Sequence, residues 1–135
     1  MDLQAVMDEV ATTLKGITGL RVYAWAQPSV SPPAAVLTLP ESIDFDQTYG
    51  RGSDRIRDLV VVVMVGKASA RTALKELSTY ASGSGARSVK AKLDARTWTT
   101  CHVVLTTRVE FDTATFAGTD YLAALFHLDI VGSGA

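Results

Sequence analysis

Three groups of residues have types and spacings that suggest chemistry. The first is Gly66, Lys67 and Ser69, which resembles part of a phosphate-binding loop. That loop requires a glycine five residues before its last glycine, and a Ser or Thr directly after the lysine. Those positions hold Val61 and Ala68, so we expect an ordinary turn from a strand into a helix.

The second group is Asp44, Asp46 and Thr48, which resembles the start of a calcium-binding loop. The tight turn of such a loop needs glycine at its sixth position, and a glutamate closes it at the twelfth. Tyr49 and Arg55 occupy these positions. We therefore expect a solvated acidic segment and no metal site.

The third group contains the single cysteine, Cys101, and the only two histidines, His102 and His127. Neighbouring residues of a strand point to opposite faces of its sheet, so Cys101 and His102 cannot act together as nucleophile and base or as metal ligands. We expect Cys101 to point inward and both histidines to be partly exposed. No serine lies in a Gly-x-Ser-x-Gly elbow. The sequence thus predicts no catalytic residue, no cofactor and no metal, and a protein that is not an enzyme.

Composition limits the class of protein further. The 135 residues fit a single domain, and 13 Lys and Arg against 14 Asp and Glu give a net charge of -1. Proteins that read nucleic acid usually have a basic excess, which is missing here. The longest apolar run, Leu59 to Val65, is much shorter than the roughly 20 residues of a membrane helix. We expect a soluble protein without a signal peptide, made in a cytoplasm.

The spacing of apolar residues predicts the order of the elements. The first element is a helix that begins at its cap, Asp2, and ends at Gly16. It is followed by strands over Leu20–Ala26 and Ala35–Leu39, an arm over Glu41–Asp54 and a strand over Arg55–Val65. The rest of the chain is predicted to form helices over Ser69–Tyr80 and Arg87–Ala95 and strands over Cys101–Asp112 and Tyr121–Val131.

The last two strands are predicted to form an antiparallel hairpin through a loop over Thr113–Asp120. In the first of them, one apolar face is expected to carry Val103, Leu105, Val109 and Phe111. The fold class is α+β: a mostly antiparallel sheet of about five strands, with about three helices packed on one face. The whole chain, 1–135, forms one domain with a mobile tail at 132–135.

The strand that ends at Val65 is apolar at every position from Leu59 onward, which indicates that both of its faces are covered. Helices on one face would leave the other without cover. A neighbouring subunit, a curled sheet or the arm could supply that cover.

The arm, 41–54, mixes apolar and charged residues that are poor core material. We interpret it as a protruding hairpin or extended arm that contacts another subunit or a partner; the alternative is a surface hairpin packed on its own sheet. Its acidic early half and basic late half could pair head to tail between identical neighbours. The residues expected at this interface are Ile43, Asp44, Phe45, Asp46, Tyr49, Arg51, Arg55 and Arg57.

Several stretches of the sequence, taken in order, carry a resemblance to a known family. They are Gly19 to Tyr23, Pro32 to Val36, the valine-rich strand ending Val65-Gly66-Lys67, Ala73 to Tyr80, Ser82 to Gly85, Arg87 to Leu93 and Gly118 to Ala124. In this order they resemble the tail terminator proteins of long-tailed bacteriophages, particularly those that infect actinobacteria. The resemblance spans nearly the whole chain, and the order of the stretches is more specific than any one of them.

This resemblance implies a structural role in the virion. Such proteins form a ring, typically of six copies, at the head-proximal end of the tail tube, where the ring stops tube polymerisation and joins the tail to the head connector. The implied partners are other copies of the chain, the tail tube protein and the head-tail connector protein, while DNA passes through the lumen without being read. Two alternatives remain: another ring or adaptor protein of the connector, and a small-ligand-binding α+β module.

Overall fold

The computed structural model describes residues 2–25, 33–45, 52–67, 71–116 and 118–133, which form three helices and a six-stranded mixed sheet. The elements are α1 (Leu3–Leu14), β1 (Arg21–Tyr23), β2 (Ala34–Leu37), β3 (Ser42–Asp44), β4 (Ser53–Lys67), α2 (Arg71–Ala81), α3 (Val89–Ala95), β5 (Val103–Phe116) and β6 (Thr119–Ser133).

The sheet has the order β1-β2-β4-β6-β5, and β3 pairs with β4. Among the strand pairs of the described residues, β1 and β2 run parallel and the others are antiparallel. The α+β class and the mostly antiparallel sheet are therefore confirmed, with six strands in place of about five. The additional strand is β3, which lies inside the segment predicted as an arm.

Two helices begin at the side chain of a capping residue, as helix starts generally do. Asp2 Oδ1 accepts a hydrogen bond of 3.0 Å from the N–H of Gln4, so the predicted cap of α1 is confirmed. Ser88 Oγ accepts one of 3.1 Å from the N–H of Ala91 at the start of α3. Ser69, the predicted cap of α2, lies outside the described residues.

The β5–β6 hairpin is confirmed, but its loop is much shorter than the predicted Thr113–Asp120. The strands stay paired as far as Phe116 and Thr119, because the threonines there suit a strand and Gly118 adopts the positive φ of 77° that a tight turn requires. The predicted tail is also shorter, since Gly132 and Ser133 pair with β4. Gly134 and Ala135 lie outside the described residues.

One cluster of buried side chains joins all three helices to alternate positions of the strands. It contains Val6 and Val10 of α1, Leu77 and Tyr80 of α2, and Leu93 of α3. The strand positions of the same cluster include Ile56, Leu59, Val61, Val63, Phe126, Leu128 and Ile130. We call the side of the sheet that carries these strand residues the core face, and the opposite side the second face.

A bulge in β5 overturns the prediction that four of its apolar residues share one face. The pairing with β6 shifts between Thr106 and Arg108, because Thr107 is an extra residue in the strand. Val109 and Phe111 therefore lie on the core face, opposite Phe126 and Ala124. By the same register, Val103 and Leu105 lie on the second face.

Candidate assembly surfaces and buried polar sites

One part of the second face is apolar. The residues of β4 are apolar at consecutive positions, and because successive side chains of a strand point to opposite faces, every other one lies on this side of the sheet. Val36, Met64 and Ala123 are buried there. Partly buried side chains surround them, and among the described residues no helix contributes to the group. We call this surface the apolar half; it consists of Tyr23, Val36, Val62, Met64, Tyr121, Ala123 and Leu125.

The rest of the second face carries charged residues beside the exposed Val103 and Leu105, and two bulges shape it. In β4 the register shifts between Ile56 and Leu59, and Asp58 there adopts a φ of 58°, a left-handed conformation that Asp tolerates better than most residues. The bulge of β5 lies across β6 from it. Between them is the charged half, which we define as Arg55, Asp58, Arg108, Glu110, His127 and Asp129.

The groups of the charged half are paired within the chain. Arg55 forms an ion pair with Asp129, whose Oδ1 also accepts the backbone N–H of Asp58 at 3.3 Å. Glu110 Oε1 accepts a hydrogen bond of 3.0 Å from Arg108 Nε. A surface depression of about 320 Å³ opens beside these residues.

His127 lies between two carboxylates. Its Nδ1 is hydrogen-bonded to Asp58, and its Nε2 is 2.8 Å from Oε1 of Glu110. The residue is buried, contrary to the expectation of partial exposure, because β6 runs between β4 and β5 in the interior of the sheet. Among the described residues, no cluster of three or more His, Cys, Asp or Glu side chains has the arrangement of a metal site.

Glu9 is a buried carboxylate on α1 that binds the segment leading into β5. Oε1 accepts hydrogen bonds from both the N–H and the hydroxyl of Thr100, at 2.9 and 2.5 Å. Oε2 accepts from Arg96 Nη2 at 3.0 Å and from the N–H of Thr99 at 3.1 Å. Burial raises the pKa of Glu9, but the hydrogen bonds from Thr100, Arg96 and Thr99 lower it more, so the pKa falls to about 2.

Cys101 follows this carboxylate-binding segment and is buried, as predicted. Burial and the negative charge of Glu9 raise the pKa of its thiol to about 11, although a hydrogen bond with Thr100 lowers it. The thiol is therefore protonated at neutral pH and is a poor nucleophile. His102 is exposed.

The structure separates the predicted interface residues of the arm into three groups. Ile43 pairs with Ile56 and packs against the core of its own chain. Asp44 forms an ion pair of 2.6 Å with Arg57, so its charge is already matched within the chain. Phe45 is 70% exposed.

Arg55, as described above, pairs with Asp129, so Asp44, Arg55 and Arg57 all have partners inside the chain. Head-to-tail pairing of these charges between neighbouring copies stays a prediction. The other predicted residues, Asp46, Tyr49 and Arg51, lie outside the described part of the chain.

Sequence reasoning missed the buried polar groups around Glu9 and His127. Glu9 interrupts the apolar spacing of α1 only slightly, and its partners are 87 to 91 residues away in the chain. For the group around His127, the available signal was the charged pair Arg57-Asp58 directly before the apolar run that begins at Leu59. The structure has a bulge at this point, between Ile56 and Leu59, and a bulge breaks the regular alternation of a strand.

No described helix is long and apolar enough to cross a membrane. A scan of protein-family models and a search of curated protein sequences find no match to the chain.

Proposed function

We propose that the chain is a structural protein of a long-tailed bacteriophage that forms a ring at the head-proximal end of the tail tube. In this role it ends tube polymerisation and joins the tail to the head connector. The observation that carries the proposal is the apolar half of the second face, which suits a protein whose function is to bind other protein surfaces.

The arrangement of this surface supports the proposal. Val62, Tyr121 and Leu125 remain partly exposed around the buried Met64. A continuous apolar patch on a sheet, bordered by charged residues, is typical of a protein interface. The adjoining charged half, with its paired Arg55 and Asp129, would form the polar border of that interface.

The charge balance agrees with a ring through which DNA passes. A net charge of -1 gives no general attraction to phosphate groups, so DNA can move through a lumen without being held. In this proposal the ring contains six copies, its partners are the tail tube protein and the head-tail connector protein, and the assembled protein is located in the virion.

Mass and shape in solution provide the test. The purified chain should form rings visible by electron microscopy, alone or once tail tube protein of the same phage is added, and tubes polymerised with it should be shorter than tubes polymerised alone. Rings that bind the connector protein but leave tube length unchanged would favour another connector component. A monomer that never joins tubes would contradict the proposal and favour a ligand-binding module.

A further inference from the structure

We propose that neighbouring copies in the ring are joined by Phe45 of one copy, which inserts into a groove between α2 and β5 of the next. This inference rests on the proposed function, because it identifies the contact that would close that ring. It concerns a surface different from the apolar half of the second face.

The groove lies on the core-face side of the sheet, where α2 passes beside the edge strand β5. Its volume is about 320 Å³. Two large apolar side chains in it are mainly exposed: Leu74 at 58% and Phe111 at 62%. We call it the α2–β5 groove, and it is lined by Leu74, Leu77, Ser78, Ala81, Ser82 and Phe111.

Phe45 has the chemistry to fill this groove. It is 70% exposed, which is costly for a phenyl ring. It follows β3 directly, so the two-residue period of a strand places it on the same side as Ile43, which packs on the core face. If the sheet of one copy continues into that of the next, Phe45 therefore lies on the same side as the α2–β5 groove.

The positions of the partners in the sheet fit a ring. β3 lies beside β4 toward one edge of the sheet, and β5 forms the opposite edge, with no further strand partner in the described part of the chain. A contact that uses opposite edges of identical subunits is heterologous, and repetition of such a contact closes a ring when its rotation allows. The free backbone groups of β5 can also pair with an incoming extended segment.

Two substitutions test the contact from its two sides. Phe45→Ser removes the aromatic ring, and Leu74→Glu places a charge in the groove; both residues are exposed, so each variant should fold with an unchanged melting temperature. Each should raise the concentration needed for ring formation at least about tenfold, since a buried aromatic anchor commonly dominates an interface. The matched controls are Leu39→Ser, another exposed apolar residue, and Thr79→Glu, which adds the same charge to α2 outside the groove.

Mixing the two defective variants makes the test specific to this pair of surfaces. The Leu74→Glu chain keeps an intact Phe45, and the Phe45→Ser chain keeps an intact groove. One good contact can therefore form between them, while the reverse contact is damaged on both sides. The mixture should contain a one-to-one pair with twice the monomer mass and no ring.

The outcomes separate this inference from the proposed function. Rings of the wild-type protein that persist in both variants at unchanged concentration would overturn the inference and leave the proposed function standing. Failure of the mixture to form the pair would also overturn it. A wild-type chain that forms no ring, alone or on tubes, would overturn the proposed function itself.

Discussion

The backbone N–H of Thr100 donates a hydrogen bond of 2.9 Å to Oε1 of Glu9, and this contact fixes α1 to the segment that enters β5. Arg96 supplies the balancing charge at 3.0 Å from Oε2. A single buried carboxylate thus satisfies donors from a part of the chain about 90 residues away. Removal of that carboxylate would leave several donors without an acceptor.

Glu9→Ala should consequently lower the free energy of unfolding by about 3 kcal/mol, within the range for loss of a buried, charged hydrogen-bond acceptor. Glu9→Gln keeps the shape and one acceptor, so its loss should be smaller. Urea unfolding at pH 7 measures both. A loss below about 0.5 kcal/mol in the alanine variant would show that these hydrogen bonds contribute little to stability.

The same contacts predict how stability depends on pH. The pKa of Glu9 is lowered from 4.5 to about 2 in the folded protein, so the folded state favours the ionised form. Its contribution is therefore complete above the unfolded pKa, near 4.5, and is lost as the pH falls toward 2. The difference in unfolding free energy between the wild-type chain and Glu9→Gln should shrink over that interval; a constant difference would contradict this assignment.

Adjacent valines of β4 should respond differently to aspartate. Val61 is fully buried on the core face, so Val61→Asp should cost about 4 kcal/mol and leave little folded protein. Val62 lies partly exposed on the second face, so Val62→Asp should cost about 1 kcal/mol and remain folded. Expression of soluble protein and its melting temperature distinguish the two. Equal loss of folding would show that both faces are covered within one chain.

The general arrangement of this fold could be predicted from apolar spacing, because α1 and the regular parts of the strands follow their ideal periods. The bulges could not. In β5 the odd positions from Val103 to Phe111 are apolar except at Thr107, and one threonine does not identify a bulge. Only the pairing with β6 reveals that Thr107 is an extra residue. A bulge changes the faces of all residues beyond it without altering the pattern of residue types.

The arm illustrates a second limit of the sequence. Its mixed composition indicated a segment outside the core, yet three of its residues form β3 and Ile43 packs inward. Charged residues such as Asp44 and Arg57 can pair within a chain or between chains, and the sequence alone does not distinguish the two arrangements. Only the register of β3 against β4 brings these two together.

Cys101 should be unreactive in the folded protein. Its thiol is buried, and its pKa is raised to about 11, so very little thiolate exists at pH 8. Modification by iodoacetamide at that pH should be at least tenfold slower than in the chain unfolded by urea. Equal rates would show that the segment around Thr100 opens readily.

Tail tube length measures the central claim most directly. Tube protein polymerised with the wild-type chain should give short tubes with a ring at one end, as seen by electron microscopy. The folded variant Val62→Asp, which damages the apolar half of the second face, should leave the tubes as long as those grown without the chain. The proposal would be contradicted if tube protein gave tubes of the same length with the wild-type chain, with the Val62→Asp variant and alone.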